Sequence, residues 1–189
     1  MHNQRVSLFA FGTEEESQRV FEVIGTDDPF RLVIWGHSLV EEALDAAIND
    51  AFAEGTPDEL KRIRLAARVA LARGLGLISA EVATAITELA KIRNDLAHHV
   101  DATLTKEHVR SLRRAVQPFW PEDVNPDSYS RIEKMRIAVG AVVLATYDTT
   151  HHALEKRREH EAALAAFQRG RTLTAQDIQS LLAADTETE

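Results

Sequence analysis

Apolar residues recur at three- and four-residue spacing along most of this chain, whereas the strict alternation of a half-buried strand is nearly absent. Helix start and stop signals divide that pattern into elements. Thr13 with Glu16 forms a capping box opening a first helix to about Ile24. Asp28 followed by Pro29 starts a second helix, which runs to about Phe52 and carries Leu39, Ala43, Ala47 and Ala51 on its apolar side. Gly55 stops it, and Thr56-Pro57-Asp58-Glu59 predicts a third helix reaching Gly74-Leu-Gly76. Ser79 caps a fourth, with the clearest stripe in the chain: Val82, Ile86, Leu89, Ile92 and Leu96. Thr105 caps a fifth to about Val116, and Pro118, Pro121 and Pro126 mark a turn-rich linker. Asn125-Pro126 opens a long sixth helix reaching past His152 towards Phe167, and Thr174 with Asp177 caps a short last one.

This is an all-α pattern, a helical bundle with a long C-terminal helix and a short final helix. It divides into an N-terminal arm and first helix (1–27), a bundle (28–168) and a short helix with an acidic tail (169–189). The Val6–Phe11 patch fits either a docking arm or an edge strand. A length of 189 residues suffices for a real core. There is no cysteine, so thiolate chemistry is excluded and a cytoplasmic location is expected. The apolar run Ile137–Ala145 is too short to span a bilayer, so no membrane is expected.

The net charge of −8 disfavours indiscriminate nucleic-acid binding, but the charge is unevenly spread. From Lys61 to Arg114 eleven basic residues face five acidic ones, a net +6 that leaves −14 on the remainder. Within that basic segment Lys61, Arg64 and Arg68 fall on one stripe of the expected third helix, and Arg110, Arg113 and Arg114 cluster at the end of the fifth. Both groups are candidates for tracking a nucleic-acid backbone. Solvated faces and internal ion pairs are the commoner use of such groups.

Inside the same segment lies Arg93-Asn94-Asp95-Leu96-Ala97-His98-His99. It places a cation, an amide and two imidazoles at a helix end, the groups needed to grip a phosphodiester and move protons around it. The spacing alone carries little weight: 17 arginines and 8 histidines give on the order of one such pair by chance. Arg31 and His37 make a similar pair whose intervening residues read as core. Three features set the Arg93 segment apart: the polar Asn94, the second histidine, and the stripe running into it. On an ideal helix Arg93 falls near the middle of that stripe, and Asn94 and His98 share a face. Arg93 and His98 point about 140° apart. A composite site then needs distortion at the helix end or two copies of the chain. The alternative is structural, with Arg93 in a buried ion pair and His98–His99 capping the helix dipole.

Arg93-Asn94 with His98 resembles the R-x4-6-H signature of the HEPN superfamily, all-helical domains found in many prokaryotic ribonuclease toxins. The longer run from Gly74-Leu-Gly-Leu-Ile-Ser-Ala-Glu to Lys91-Ile-Arg-Asn-Asp-Leu-Ala-His-His is similar to mannitol-repressor-like proteins, a branch of that superfamily. The likeness is clearest over Leu65 to His99 and does not involve the first 27 or last 20 residues. It implies a HEPN-like bundle, a homodimer with a shared cleft, and metal-independent cleavage of RNA. In that scheme Arg93 holds the scissile phosphate, His98 or His99 is the acid–base group, and Asn94 orients substrate or histidine. No cofactor or metal is called for, because RNA supplies its own nucleophile.

The mannitol-repressor branch also implies a non-catalytic regulator working through protein contacts, with an antitoxin or another regulator as partner. Direct operator reading is disfavoured. Ala72, Gly76 and Val82 have helix-turn-helix spacing, but the following helix offers Glu81, Thr84, Thr87, Glu88 and Lys91 to the groove. Metal sets such as His98, His99, Asp101 and His108, or His151, His152 and Glu155, have no recognised ligand spacing.

Overall fold

The computed structural model describes residues 14–52, 55–60, 62–98, 103–120, 125 and 128–168. Those residues form six α-helices and one 3-10 turn, with no strand among them: α1 (Glu14–Gly25), α2 (Pro29–Ala51), α3 (Leu65–Gly74), α4 (Ala80–His98), α5 (Lys106–Ala115), the turn Gln117–Phe119, and α6 (Arg131–Gln168). The all-α bundle read from the sequence is thus the observed fold. None of these helices is long and apolar enough to cross a membrane. The Val6–Phe11 patch, the Thr13 cap, the Thr174 helix and the acidic tail lie outside the described residues.

α2 and α6 form the centre of the bundle, and α1, α3, α4 and α5 pack around one or both of them. Their shared core includes Leu32, Val33, Val40 and Leu44 from α2 and Met135, Val139, Val142 and Val143 from α6. α4 adds Val82, Ile86, Leu89, Ile92 and Leu96, the five residues of its expected stripe, all buried. Val20 and Val23 of α1 enter the same core. The closest approach is at Gly36, where an added Cβ would overlap Val139 Cγ1. A second small residue, Gly140, receives Ile24 of α1, whose Cδ1 would stand 3.2 Å from an added Cβ. Lower on the α6 face, Thr146 and Thr150 are buried, and their hydroxyls donate back to Val142 and Thr146 carbonyls at 2.7 and 2.9 Å. Two polar groups therefore enter the core satisfied.

The caps explain most helix starts. Asp28 Oδ1 accepts from the Phe30 and Arg31 amides, with Pro29 at the first helical position. Ser79 Oγ accepts from the Val82 amide at the head of α4. Thr105 opens α5 through a box in which His108 takes the place usually held by Glu: its Nδ1 accepts from the Thr105 amide. α3 ends in a Schellman motif. Gly76 stands at φ 74°, the Leu77 amide donates to Ala72 O and the Gly76 amide to Arg73 O. The buried Leu77 seals that turn against Ala72 and fixes the entry of the chain into α4.

Two expected boundaries are corrected. α3 begins at Leu65, not at Thr56. The Thr56 amide donates to Asn49 Oδ1 at the end of α2, and the Leu60 and Ile63 amides close successive turns on Pro57 and Leu60. The Asn49 bond holds the start of the segment on α2, and the two turns carry it to Ile63 before a helix starts. Likewise α6 begins at Arg131, not at Asn125-Pro126. Ser130 and Glu133 form the working capping box, the Ser130 amide donating to Glu133 Oε2 at 2.8 Å and the Glu133 amide to Ser130 Oγ at 3.4 Å.

The α2–α6 contact generates a stability prediction. Gly36→Ala gains helix propensity of about 1 kcal/mol but forces a methyl into Val139, whose β-branched side chain has one preferred helical rotamer. Overpacking of this kind costs about 1–3 kcal/mol, so thermal unfolding should show a lower Tm. Gly74→Ala, where an added Cβ meets nothing within 4 Å, should leave the Tm unchanged or raise it.

Candidate functional site

A cleft of about 560 Å³ opens between α2, α3 and α4. α4 lines it with Thr87, Lys91, Arg93 and Asn94, the chain entering α3 with Arg64 and Arg68, and α2 with His37 and Glu41. Its position follows from the packing described above. The buried stripe turns Arg93 and Asn94 of α4 towards α3, and the Schellman turn sets the α3–α4 angle. His37 follows Gly36 on α2 and, turned about 100° from the α6 crossing, lines the cleft.

Arg93 is half-buried. Its Nη1 donates to Asn94 Oδ1 at 3.0 Å, and its Nε is buried without a hydrogen-bond partner. No carboxylate pairs with it among the described residues. The ion pair anticipated as the structural alternative is therefore not formed there, and a donor is left unsatisfied at a cost of about 1–3 kcal/mol. Arg68 behaves in the opposite way. Its Nη1 lies 2.9 Å from Asp45 Oδ2 and 3.5 Å from Glu41 Oε1, and its Nε donates to Ile63 O. It is a strut from α3 to α2, with its charge already balanced.

His37 is buried, its side chain 8% exposed, and its Nδ1 lies 3.3 Å from Glu41 Oε2 one turn on. Burial pushes its pKa below the usual histidine value; the Glu41 carboxylate opposes that shift, and the Arg93 and Arg68 guanidinium groups add to it. The imidazole is thus held neutral at physiological pH.

The residues singled out in the sequence separate into three sets. Arg93 and Asn94 come together in the cleft, with Arg64 and Arg68 at its α3 side. Arg64 precedes α3, so the helical stripe expected of Lys61, Arg64 and Arg68 is not formed; Lys61 itself lies outside the described residues. His98 is exposed in the last turn of α4 and does not line the cleft, while His99 lies outside the described residues. On α5, Arg110 pairs with Glu107 at 3.0 Å, Arg113 stands 5.8 Å from the Trp120 ring centroid, and Arg114 lies near enough to Glu88 to help lower that carboxyl's pKa. Near Arg93, Asp95 lies 3.8 Å from His108 Nε2, an ion-pair distance that ties α4 to α5.

Sequence reasoning missed His37 and Glu41. The residues between Arg31 and His37 read as core, and Leu32, Val33 and Gly36 are buried. His37 is buried too, whereas Arg31 is exposed and stacks on Trp35 at 3.9 Å from the ring centroid. The available signal was an imidazole on an apolar helix face with a carboxylate one turn later, the spacing that lets them meet.

Compared with protein-family models, curated proteins and solved structures, the chain matches none.

His37 makes stability depend on pH in a defined direction. Its folded pKa is depressed, so the unfolded chain binds the extra proton first. Stability from this group is fully present above its unfolded value of about 6.5 and is lost as pH falls through the folded value. In urea unfolding, the midpoint difference between wild type and His37→Gln should narrow on going from pH 7.5 to pH 5. A constant difference would show that His37 does not titrate with folding.

Proposed function

We propose that this protein is a HEPN-like regulatory protein of the mannitol-repressor-like branch, acting on RNA phosphodiesters at the α2–α3–α4 cleft by metal-independent endoribonuclease chemistry. The observation that carries the reading is Arg93: a half-buried guanidinium in an open cleft, with no carboxylate partner among the described residues and an unpaired Nε. A half-buried cation left this way is complementary to an anion that supplies oxygens on two sides, and a phosphodiester does. Asn94, bonded to it, orients the guanidinium plane. Arg64 on the cleft wall adds positive charge along which a strand can lie, and Lys91 beyond it is paired with Glu88 at 3.0 Å. In a chain with net charge −8, such a local concentration favours a bounded anion site over general adhesion.

The reading includes a cytoplasmic homodimer, in which a second copy closes the cleft over the strand. A second reading is favoured by one observation: His98 does not line the cleft with Arg93. In it the protein is a catalytically silent regulator that works through protein contacts, with an antitoxin-like or regulatory partner, and Arg93 grips a partner's carboxylate.

The two separate on Arg93→Met. Methionine fills similar volume and removes the unpaired donor, so Tm should hold or rise while RNA binding and chelator-resistant cleavage are lost, cleavage by about 10²- to 10³-fold. Unchanged cleavage in Arg93→Met, or no cleavage of any single-stranded RNA by wild type in EDTA, would remove the enzyme reading.

A further inference from the structure

We infer that His37, held by Glu41, is the proton-transfer residue of the Arg93 cleft, so that one copy of the chain carries both the phosphate grip and the acid–base group. This rests on the RNA-directed reading and departs from the motif, which assigns that role to His98.

The geometry favours His37 on three counts. It lines the same cleft as Arg93 and Asn94, whereas His98 does not. Its Nδ1 faces the Glu41 carboxylate at 3.3 Å, which leaves Nε2 as the second nitrogen. And it is buried on α2, one residue from the close-packed Gly36–Val139 crossing. His98 has none of these supports: it is exposed in a final helical turn.

The surrounding charges set the protonation state. Glu41 lies on the same helix as His37, Arg68 comes from α3 and Arg93 from α4, with Arg64 and Lys91 further along the wall. Burial and the two guanidinium groups keep the imidazole neutral, as a base must be before it acts.

In the reaction this permits, a ribose 2′-oxygen attacks the phosphorus held by Arg93 and its proton passes to His37 Nε2. The P–O5′ bond breaks, and the departing 5′-oxygen takes a proton from water. His37 returns its own proton to solvent. The products are a 2′,3′-cyclic phosphate and a 5′-hydroxyl, with no net change in water or charge. Neither a metal ion nor a redox partner enters the step.

The test uses the full chain and a quenched fluorescent single-stranded RNA in EDTA, comparing wild type, His37→Gln, Glu41→Gln and, as a surface control on α6, His151→Gln. His37→Gln should lower kcat by about 10²- to 10⁴-fold with KM within about threefold of wild type. Glu41→Gln should move the acid limb of the kcat/KM profile to lower pH, because the carboxylate that favours the protonated imidazole is gone. A purely structural role for Glu41 would leave that limb in place. His151→Gln should match wild type. Circular dichroism checks that His37→Gln folds; if it does not, the Glu41→Gln profile decides alone. Wild-type kcat in folded His37→Gln, or an unmoved acid limb in Glu41→Gln, overturns the assignment while leaving the RNA reading intact. Loss of cleavage in His98→Ala with retention in His37→Gln returns the role to the motif. Failure of wild type to cleave RNA removes both readings together.

Discussion

The close approach of α2 to α6 at Gly36 is the constraint on which the other packing in this bundle depends. A glycine there lets Val139 sit against the α2 backbone, and the two longest helices then share one apolar seam. Once that seam is set, the remaining faces of α2 are fixed in direction. One side receives α1, tied by Arg19 to Glu42 and by Arg136 of α6 to Asp27 and Thr26 O. The other receives α3 and α4, and between them the cleft opens. His37 is carried into the cleft by the same register that buries Leu32, Val33, Val40 and Leu44.

Around the cleft the arginines are used in two contrasting ways. Arg68 meets two carboxylates and a carbonyl and so joins helices. Arg93, on the facing helix, meets an amide oxygen through one nitrogen and nothing through Nε. Arg136 also has an unpaired Nε but bonds Asp27 and Thr26 O. For Arg93, with no carboxylate partner among the described residues, folding alone gives no reason, since an apolar residue of similar length would fill the space without an unsatisfied donor. A site that grips an anion does give one, because its binding group must remain uncommitted until the ligand arrives.

Much of the fold was legible because local signals and burial agreed. Asp28-Pro29, Ser79, Thr105 and Gly76 act where their chemistry says they should, and the five-residue stripe of α4 is buried throughout. The errors came where another bond outcompeted the expected cap: at α6 the Ser130–Glu133 box prevails over Asn125-Pro126. Thr56-Pro57 has helix-start chemistry, yet Asn49 captures the Thr56 amide from the preceding helix. Arg68 was legible as a cation but not as a strut, because its carboxylate partners lie 23 and 27 positions earlier in the chain. The residues between Arg31 and His37 read as core; the sequence could not show that His37, at their edge, borders a cleft. Arg93 at the centre of an apolar stripe was the one anomaly visible from the start, and the structure leaves it anomalous.

α6 runs for 38 residues, about 57 Å at 1.5 Å per residue, but its described burial ends at Thr150. Beyond that point the described side chains are partly or fully exposed, with Phe167 at 80%, and helical order is supported by local pairs such as Arg157 with Glu161. One continuous helix thus spans two regimes of cooperativity. Amides between Met135 and Thr150 can exchange with solvent only when the bundle opens, whereas those beyond Lys156 are free to exchange by local fraying. α6 beyond Lys156 can therefore unwind, bend or be clipped at little cost to the fold that holds the cleft, since the last side chains packed against the core are Ala153 and Leu154.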